Sequence, residues 1–264
     1  MKNDDTLTVG IYQPDARPEP PESRLVRLAK VFDDPAARDC DLLLCPELYM
    51  SGYFVDDKIL EWAQPSSGPF AARVCDIARD NQCAIVYGYP ERDEGRVFNS
   101  ALCAGPDGRV AANHRKNLLP YDYEEKYFEP GGRPTTFEIK GWKVGMVICY
   151  EAEFPEPVRY YAQSGCDLVL APTALTEHWP VVAHRVIPAR AFENNIFVAY
   201  ANHSGEENGN RYLGASVIAS PFGEDVSRGG SEECVITGRI DRSEIVKARS
   251  RLHFLKDVGQ SCYR

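Results

Sequence analysis

The pattern of apolar and polar positions alternates between strand-like and helix-like periods along the whole chain. Short apolar runs predict strands, and segments with apolar residues three or four positions apart predict helices. The predicted strands are Thr8–Gln13, Leu42–Cys45, Ala84–Tyr89, Ser100–Ala104, Lys143–Cys149, Asp167–Pro172, Ile196–Ala201, Ser216–Ser220 and Cys234–Ile240. The predicted helices are Glu22–Phe32, Phe70–Asn81, Glu156–Ser164, Pro188–Asn194 and a short one near Ser243–Lys247, capped by Asp241.

Helices separate only about half of these strands, so the pattern fits antiparallel hairpins as well as parallel crossovers. This mixture favours a layered α/β sandwich over a purely doubly wound sheet. No repeat, low-complexity tract or break in composition divides the 264 residues. We therefore expect a single domain over residues 1–264.

Charge and composition narrow the possible partners and the location. The net charge of −9 argues against a nucleic acid or an anionic membrane as partner, because both are bound by clustered basic residues. The polar, acidic start does not resemble a signal peptide, and the apolar runs are too short to cross a bilayer. The nine cysteines have no regular spacing and no C-x-x-C pair, which predicts reduced thiols and a cytoplasmic protein.

Two segments place ionisable side chains at or near strand ends. Glu47 follows the strand predicted at Leu42–Cys45, in a position where α/β sheets collect functional groups. Lys116 precedes an apolar pair and an acidic loop whose carboxylates would keep a half-buried ammonium group charged. Taken alone, each also has a plain structural interpretation. Glu47 could simply cap the end of a strand, and Lys116 could be an ordinary surface lysine.

A third segment places Cys149 between a predicted strand and a predicted helix. A tight turn at this point would expose the sulfur at the sheet edge, as in a nucleophile elbow. Backbone N–H groups of such a turn can stabilise an oxyanion, and a nearby positive charge favours the thiolate. The alternative is a buried cysteine that simply closes a strand.

The ordered set of Glu47, Lys116 and Cys149 resembles the nitrilase superfamily of carbon–nitrogen hydrolases over nearly the whole chain. The length is similar to that of its amidase-like branch. One departure is Glu151, where many members have Asp two residues after the cysteine, and we expect its extra methylene group to reshape the pocket. The matching segments are PELYMSGY, FNSAL, PDGR, RKNLLP, EKYFEPG, VICYEAEFPEPVR, PARAFENN, ANHSG and YLGASVIASPFGE.

The resemblance implies a four-layer αββα sandwich and a role for each catalytic residue. Glu47 would be the general base, and Lys116 would stabilise the oxyanion together with the backbone N–H of Tyr150. Glu124 fits a further family position that orients Lys116, with Glu125 as the rival in register. No metal or other cofactor is implied.

Positions around the substrate also follow from the resemblance. The residues expected to line the pocket are Tyr53, Tyr123, Tyr150, Glu151, Ala174 and Trp179. The five histidines are scattered, and His178 with His184 lacks the spacing of a helical metal pair. His178 is nevertheless the most available base for an alternative cysteine–histidine hydrolase.

The function that the resemblance implies is hydrolysis of a small primary amide to a carboxylic acid and ammonia through a thioester. Alternatives with the same residues are an N-carbamoyl amine hydrolase, an ω-amidase of 2-oxo acid amides, a nitrilase and an N-acyltransferase. A non-catalytic scaffold is the alternative from another class. Family members commonly form dimers, so we expect a homodimer in which the segment from about residue 242 to 264 reaches the partner.

Overall fold

The computed structural model describes residues 5–260, and most of its strands form two six-stranded sheets. The strands are β1 (Thr6–Gln13), β2 (Leu42–Leu44), β3 (Ala84–Asp93), β4 (Arg96–Ala104), β5 (Val110–Arg115), β6 (Thr136–Ile139), β7 (Trp142–Met146), β8 (Leu168–Pro172), β9 (Phe197–Ala201), β10 (Glu206–Glu207), β11 (Asn210–Arg211), β12 (Val217–Ala219), β13 (Asp225–Arg228) and β14 (Cys234–Asp241). The helices are α1 (Pro21–Val31), α2 (Pro35–Arg38), α3 (Lys58–Trp62), α4 (Pro69–Asp80), α5 (Tyr121–Tyr127), α6 (Pro155–Gln163), α7 (Ile187–Asn194), α8 (Arg242–Arg251) and α9 (Phe254–Gln260).

The two sheets have the same plan. The first has the order β14-β1-β2-β3-β4-β5, and the second has the order β13-β12-β9-β8-β7-β6. In each sheet three central strands run parallel, β1 with β2 and β3 in the first and β7 with β8 and β9 in the second, while the flanking pairs are antiparallel. Mixed pairing of this kind is what the incomplete alternation of strands and helices predicts.

Packing of the sheets produces the expected four layers. Leu42 and Leu44 of β2 point into the core between the sheets, while Leu43 packs in the cluster that contains the apolar side chains of α1 and α4. The second sheet is covered in the same way by α6 and α7. Because both faces of β2, β8 and β9 are buried, these three strands are continuous apolar runs and not alternating ones. The predicted αββα sandwich is confirmed.

The structure corrects several predicted element boundaries. The strand predicted to reach Cys149 ends at Met146, and α8 extends to Arg251, beyond the short helix predicted near Ser243–Lys247. The pattern missed the strands β5, β6, β10, β11 and β13 and the short helices α2, α3, α5 and α9. Most positions of β5 are exposed or half-buried and give little apolar signal. In the C-terminal segment, Phe254 packs edge-on against Phe192 of α7, and residues 261–264 lie outside the described residues.

None of the helices formed by residues 5–260 has the length and apolar character needed to span a membrane.

Candidate active site

Glu47 lies at the carboxyl end of β2, where the first sheet meets the second. Its backbone N–H donates to the carbonyl of Thr173, which directly follows β8, at 3.3 Å. Its own carbonyl accepts a hydrogen bond from Nε2 of His203 at 2.9 Å. Gly88 of β3 passes so close that a Cβ there would lie 2.2 Å from the backbone nitrogen of Leu48. The backbone of Glu47 is thus held by both sheets, and its side chain is fully buried.

Lys116 follows β5 directly, and its backbone is hydrogen-bonded on both sides. Its N–H donates to the carbonyl of Asn99 at 2.8 Å, and its carbonyl accepts from the N–H of Gly131 at 2.7 Å. The side chain is fully buried, and Nζ donates to Oε1 of Glu47 at 2.7 Å and to Oε1 of Glu124 at 2.5 Å. Charge-assisted bonds of this length give the ammonium group one defined position.

The second carboxylate of this cluster belongs to Glu124 of α5 and not to Glu125. Glu124 is fully buried, whereas Glu125 on the next helical position is exposed to solvent. Besides the bond from Lys116, Oε1 of Glu124 accepts a hydrogen bond from the hydroxyl of Tyr53 at 2.6 Å. The geometry therefore favours the register in which Glu124 is the residue that orients the lysine.

Asn99 of β4 joins the two carboxylates, and the sequence analysis did not single it out. Its Nδ2 donates to Oε1 of Glu47 at 2.7 Å and to Oε2 of Glu124 at 3.3 Å. The only sequence signal was its place in the matching segment FNSAL, because an uncharged amide suggests no catalytic role by itself. The bond from Asn99 goes to Oε1 of Glu47, and the other oxygen, Oε2, is buried without a hydrogen-bond partner among the described residues.

Cys149 is positioned by a strained turn after β7. Its φ is +47°, a left-handed conformation that is uncommon outside glycine, and a 3₁₀ helix over Cys149–Glu153 follows. The thiol is half-buried, and the neighbouring Thr173 hydroxyl and Ala174 backbone N–H act to lower its pKa. This is the strand–turn–helix arrangement expected of a nucleophile elbow.

The charges around Cys149 favour the thiol and not the thiolate. Burial raises the pKa of the Cys149 thiol, and the carboxylate of Glu47 raises it further, while Lys116 only partly opposes this. Burial also raises the pKa of Glu47. The pKa of Lys116, which burial alone would lower, is raised because Glu124 and Glu47 lie beside it. The nearby positive charge of Lys116 does act in the expected direction and lowers the pKa of Cys149, but burial and the carboxylate of Glu47 together outweigh it.

A cavity of about 380 Å³ opens onto Cys149. Five of the six side chains expected at the substrate line it, and Trp179, 61% exposed, stands at its rim. The sequence analysis assigned no role here to Pro120, Glu153, Leu175 or Thr176. The lining residues are Tyr53, Phe54, Pro120, Tyr123, Cys149, Tyr150, Glu153, Ala174, Leu175, Thr176 and Trp179.

Glu151, the sixth expected substrate residue, does not line this cavity. Its Oε1 accepts hydrogen bonds from the backbone N–H and Nδ2 of Asn117 at 2.9 and 3.1 Å. Its Oε2 accepts from the N–H of Ile148 at 2.7 Å and lies 3.1 Å from Nε2 of His114. Although burial opposes ionisation, these partners lower the pKa of Glu151. The longer side chain thus ties the loop after Lys116 to the turn of the nucleophile.

One wall of the cavity is held by a buried ion pair that sequence reasoning missed. Oε2 of Glu207 accepts the backbone N–H groups of Tyr53 and Phe54 at 2.9 and 2.8 Å and the hydroxyl of Tyr212 at 3.0 Å. Oε1 of Glu207 lies 3.6 Å from the guanidinium group of Arg24, and both side chains are essentially inaccessible to solvent. Glu207 therefore fixes the backbone of the aromatic wall.

Glu207→Gln is expected to destabilise the protein by about 3 kcal/mol or more, because it leaves the Arg24 guanidinium group buried without its counter-charge. Urea-induced unfolding measures the loss of unfolding free energy. A raised KM for substrate would indicate that the cavity wall formed by Tyr53 and Phe54 is no longer held in place. Glu206→Gln is a matched control, since the neighbouring Glu206 is exposed and lies 3.9 Å from Arg211. We expect the control to change stability by no more than about 0.5 kcal/mol. Equal effects of the two substitutions would contradict the structural role of Glu207.

The alternatives based on histidine or a metal find no matching geometry. His178 is exposed and does not line the cavity that contains Cys149, so the cysteine–histidine pair is not formed. Within residues 5–260, no three His, Cys, Asp or Glu side chains are grouped so that they could bind a metal ion.

Comparisons with known proteins identify the family. A sequence model of the carbon–nitrogen hydrolase family matches residues 8–250. A Pseudomonas protegens protein described as "Hydrolase in pqqF 5'region" is 38% identical over 98% of this chain and 91% of its own. An (R)-stereoselective amidase from a Pseudomonas species is 33% identical over 84% of this chain and 80% of its own.

A solved structure extends the similarity to three dimensions. An amidase from a Nesterenkonia species, in complex with acrylamide, superposes with a TM-score of 0.85 at 30% identity and covers 96% of this chain and 97% of its own. Another structure of that amidase shows covalent addition of the acetamide moiety of fluoroacetamide at the active-site cysteine.

Proposed function

The chain belongs to the carbon–nitrogen hydrolase family, in the amidase-like branch of the nitrilase superfamily, and on this premise we propose that it hydrolyses small primary amides to acid and ammonia through a thioester on Cys149. One observation carries the assignment of roles. Oε1 of Glu47 is held by Lys116 and Asn99, while Oε2 is buried without a partner. A buried carboxylate oxygen without a hydrogen-bond partner lowers the stability of the fold, and it is suited to a general base that accepts a proton during the reaction.

In the first half of the reaction, Glu47 takes the proton of the Cys149 thiol as the sulfur attacks the amide carbon. The raised pKa of both groups favours this concerted transfer over a thiolate formed in advance. Lys116 and the backbone N–H of Tyr150 stabilise the oxyanion of the tetrahedral intermediate. The carbon–nitrogen bond then breaks, the proton passes from Glu47 to the leaving nitrogen, and ammonia departs.

In the second half, water hydrolyses the thioester. Glu47 takes a proton from the water as its oxygen attacks the acyl carbon, and the same donors stabilise the second oxyanion. The carbon–sulfur bond breaks, the sulfur regains a proton from Glu47, and the carboxylic acid leaves. Glu124 acts by positioning Lys116, and it remains hydrogen-bonded to the Tyr53 hydroxyl in the cavity wall.

Ammonia release from matched panels of small amides, N-carbamoyl amines and nitriles tests this function. We expect the highest kcat/KM with primary amides, in line with the (R)-stereoselective amidase and the Nesterenkonia amidase to which this chain is similar. Activity on nitriles alone, or on carbamoyl amines alone, would reject the amidase proposal in favour of that alternative. Acyl transfer to an added amine with no free acid formed would indicate an N-acyltransferase.

The proposal includes a homodimer located in the cytoplasm. The eight described cysteines are free thiols, which fits a reducing compartment. Tyr160, Trp179 and Val181 are about half exposed or more, as expected for apolar side chains that contact a second subunit. A monomeric mass in light scattering would contradict the dimer, and recovery in a membrane or secreted fraction would contradict the location.

A further inference from the structure

Glu153 lines the cavity of Cys149, and its carboxyl group has no function in the proposed mechanism. Glu153 is the last residue of the 3₁₀ helix that begins at the nucleophile. Its backbone carbonyl accepts a hydrogen bond from Arg190 at 2.6 Å, but its carboxylate has no hydrogen bond or ion pair with the described residues. An acidic group is therefore presented to the space that a substrate would occupy.

The two basic groups whose charges act on the carboxyl group of Glu153 are bound to other residues. Lys116 is bound by Glu47 and Glu124, as described above. The remaining bonds of Arg190 go to the carboxylate of Glu193 at 2.9 Å and to the carbonyl of Ala152 at 3.1 Å. No lysine or arginine lines the cavity, so within the described residues the charge of Glu153 has no counter-charge there.

The rest of the cavity wall also suits a cation. Five aromatic side chains line it, those of Tyr53, Phe54, Tyr123, Tyr150 and Trp179. Aromatic faces attract ammonium groups, and the attraction grows when water is excluded. Burial raises the pKa of Glu153, and a bound ammonium group would favour the charged form of this carboxyl.

We propose that Glu153 determines the substrate class of this site by pairing with a protonated amino group, so that the preferred substrates are amides of short amino acids. The inference rests on the proposed amidase function and makes it more specific. An amide that carries a carboxylate would place its negative charge against Glu153 with no basic side chain to receive it. This disfavours the amides of 2-oxo acids that an ω-amidase would use.

The test compares kcat/KM for three amides with the same carbon spacing. In γ-aminobutyramide, valeramide and glutaramate the far end is an ammonium, a methyl and a carboxylate group, and β-alaninamide, butyramide and succinamate repeat the comparison one methylene shorter. We expect the wild type to prefer the cationic over the neutral amide by about 10- to 100-fold in at least one series, as for a hydrogen bond between charged groups. The anionic amide should be the poorest substrate in both series.

Variants then assign the preference to Glu153. Glu153→Gln keeps the shape and removes the charge, so the ratio of cationic to neutral kcat/KM should fall to near one. Glu153→Lys should reverse the preference, so that kcat/KM is higher for the anionic amide than for the cationic one. Glu156→Gln, which makes the same charge change three residues away at an exposed position of α6, is the control and should leave the ratio unchanged. Because each ratio is taken within one variant, a partial loss of folded protein does not alter it.

The outcomes separate this inference from the function on which it rests. If valeramide or butyramide is hydrolysed but the wild-type ratio is near one in both series, the amidase function stands and the role of Glu153 is wrong. A preference that persists in Glu153→Gln, or disappears in Glu156→Gln, would also overturn it. If no amide is hydrolysed, the proposed function itself fails.

Discussion

Cys149→Ala is expected to abolish ammonia release from every amide that the wild type hydrolyses, with a fall in kcat of about 10⁶-fold, the scale on which removing a nucleophile acts in a hydrolase. The thioester cannot form without the sulfur, and no other described cysteine lines the cavity. Stability should change by about 1 kcal/mol or less, because only one half-buried atom is lost. Steady-state assays and urea unfolding of the same preparation measure the two effects.

Cys234→Ala supplies a matched control, since Cys234 is also half-buried but lies on β14, outside the cavity. It should keep wild-type activity. Iodoacetamide, which is itself a small amide, should label Cys149 first and inactivate the enzyme in proportion to labelling, as read from peptide masses. Activity that survives Cys149→Ala, or inactivation that follows the labelling of Cys234, would disprove the nucleophile assignment.

Much of the fold was predictable because both sheets contain parallel strands buried on two faces. The sequence of such a strand is an unbroken apolar run, as at Leu42–Leu44 and Leu168–Pro172, and a run of this kind is easy to recognise. Strand β5 is harder to find, since no position of Val110–Arg115 except His114 is buried. The turn at Cys149 was placed correctly between strand and helix, but the end of the strand at Met146 depends on a local backbone conformation that apolar periodicity does not report.

The candidate site was predictable where a charged or nucleophilic residue follows a strand. Glu47 and Cys149 satisfy that condition, whereas Lys116 follows β5, which the pattern missed, and was assigned from the resemblance. The structure brings the three residues together. Asn99 and Glu207 do not satisfy the condition, because their roles depend on partners far away in sequence: Asn99 bridges two carboxylates and Glu207 holds a distant loop. Such pairings are set by the packing of the two sheets, and a single sequence contains no local signal for them.

Glu151 shows the opposite case, a residue that the resemblance placed at the substrate. It stands two residues after the nucleophile, where many family members have Asp. The 3₁₀ turn instead directs its side chain back towards Ile148 and Asn117. On the same turn, Glu153 is the acidic residue that lines the cavity, although it is further from Cys149 along the chain than Glu151 is.

The charge of Lys116 links catalysis to stability, because it is the ion-pair partner of the two buried carboxylates in this cluster. Lys116→Met is expected to lower kcat/KM by at least about 100- to 1000-fold, the usual effect of losing an oxyanion donor. It should also destabilise the fold by about 3–5 kcal/mol near pH 8, since Glu47 and Glu124 are then left buried without a counter-charge.

The sign of the pH dependence distinguishes this explanation from a simple packing defect. Burial already raises the pKa of Glu47, and loss of the ammonium group raises it further above the value in the unfolded chain, about 4.3. The folded variant then binds a proton that the unfolded chain releases as pH rises, so its stability falls as pH rises through the folded-state pKa. The gap in unfolding free energy between wild type and Lys116→Met should therefore be larger at pH 8 than at pH 5.

Two further variants complete the test of Lys116. Adding Glu124→Gln to Lys116→Met removes one of the two buried charges, so it should restore part of the stability and none of the activity. Lys126→Met, a change to an exposed lysine of α5, should shift stability by no more than about 0.5 kcal/mol and leave its pH dependence as in the wild type. Urea unfolding at the two pH values, with amide kinetics on the same samples, supplies both readouts. A stability gap that does not change with pH would show that lost packing, and not uncompensated charge, is what Lys116 contributes to the fold, whereas near-normal kcat/KM would remove it from the catalytic mechanism.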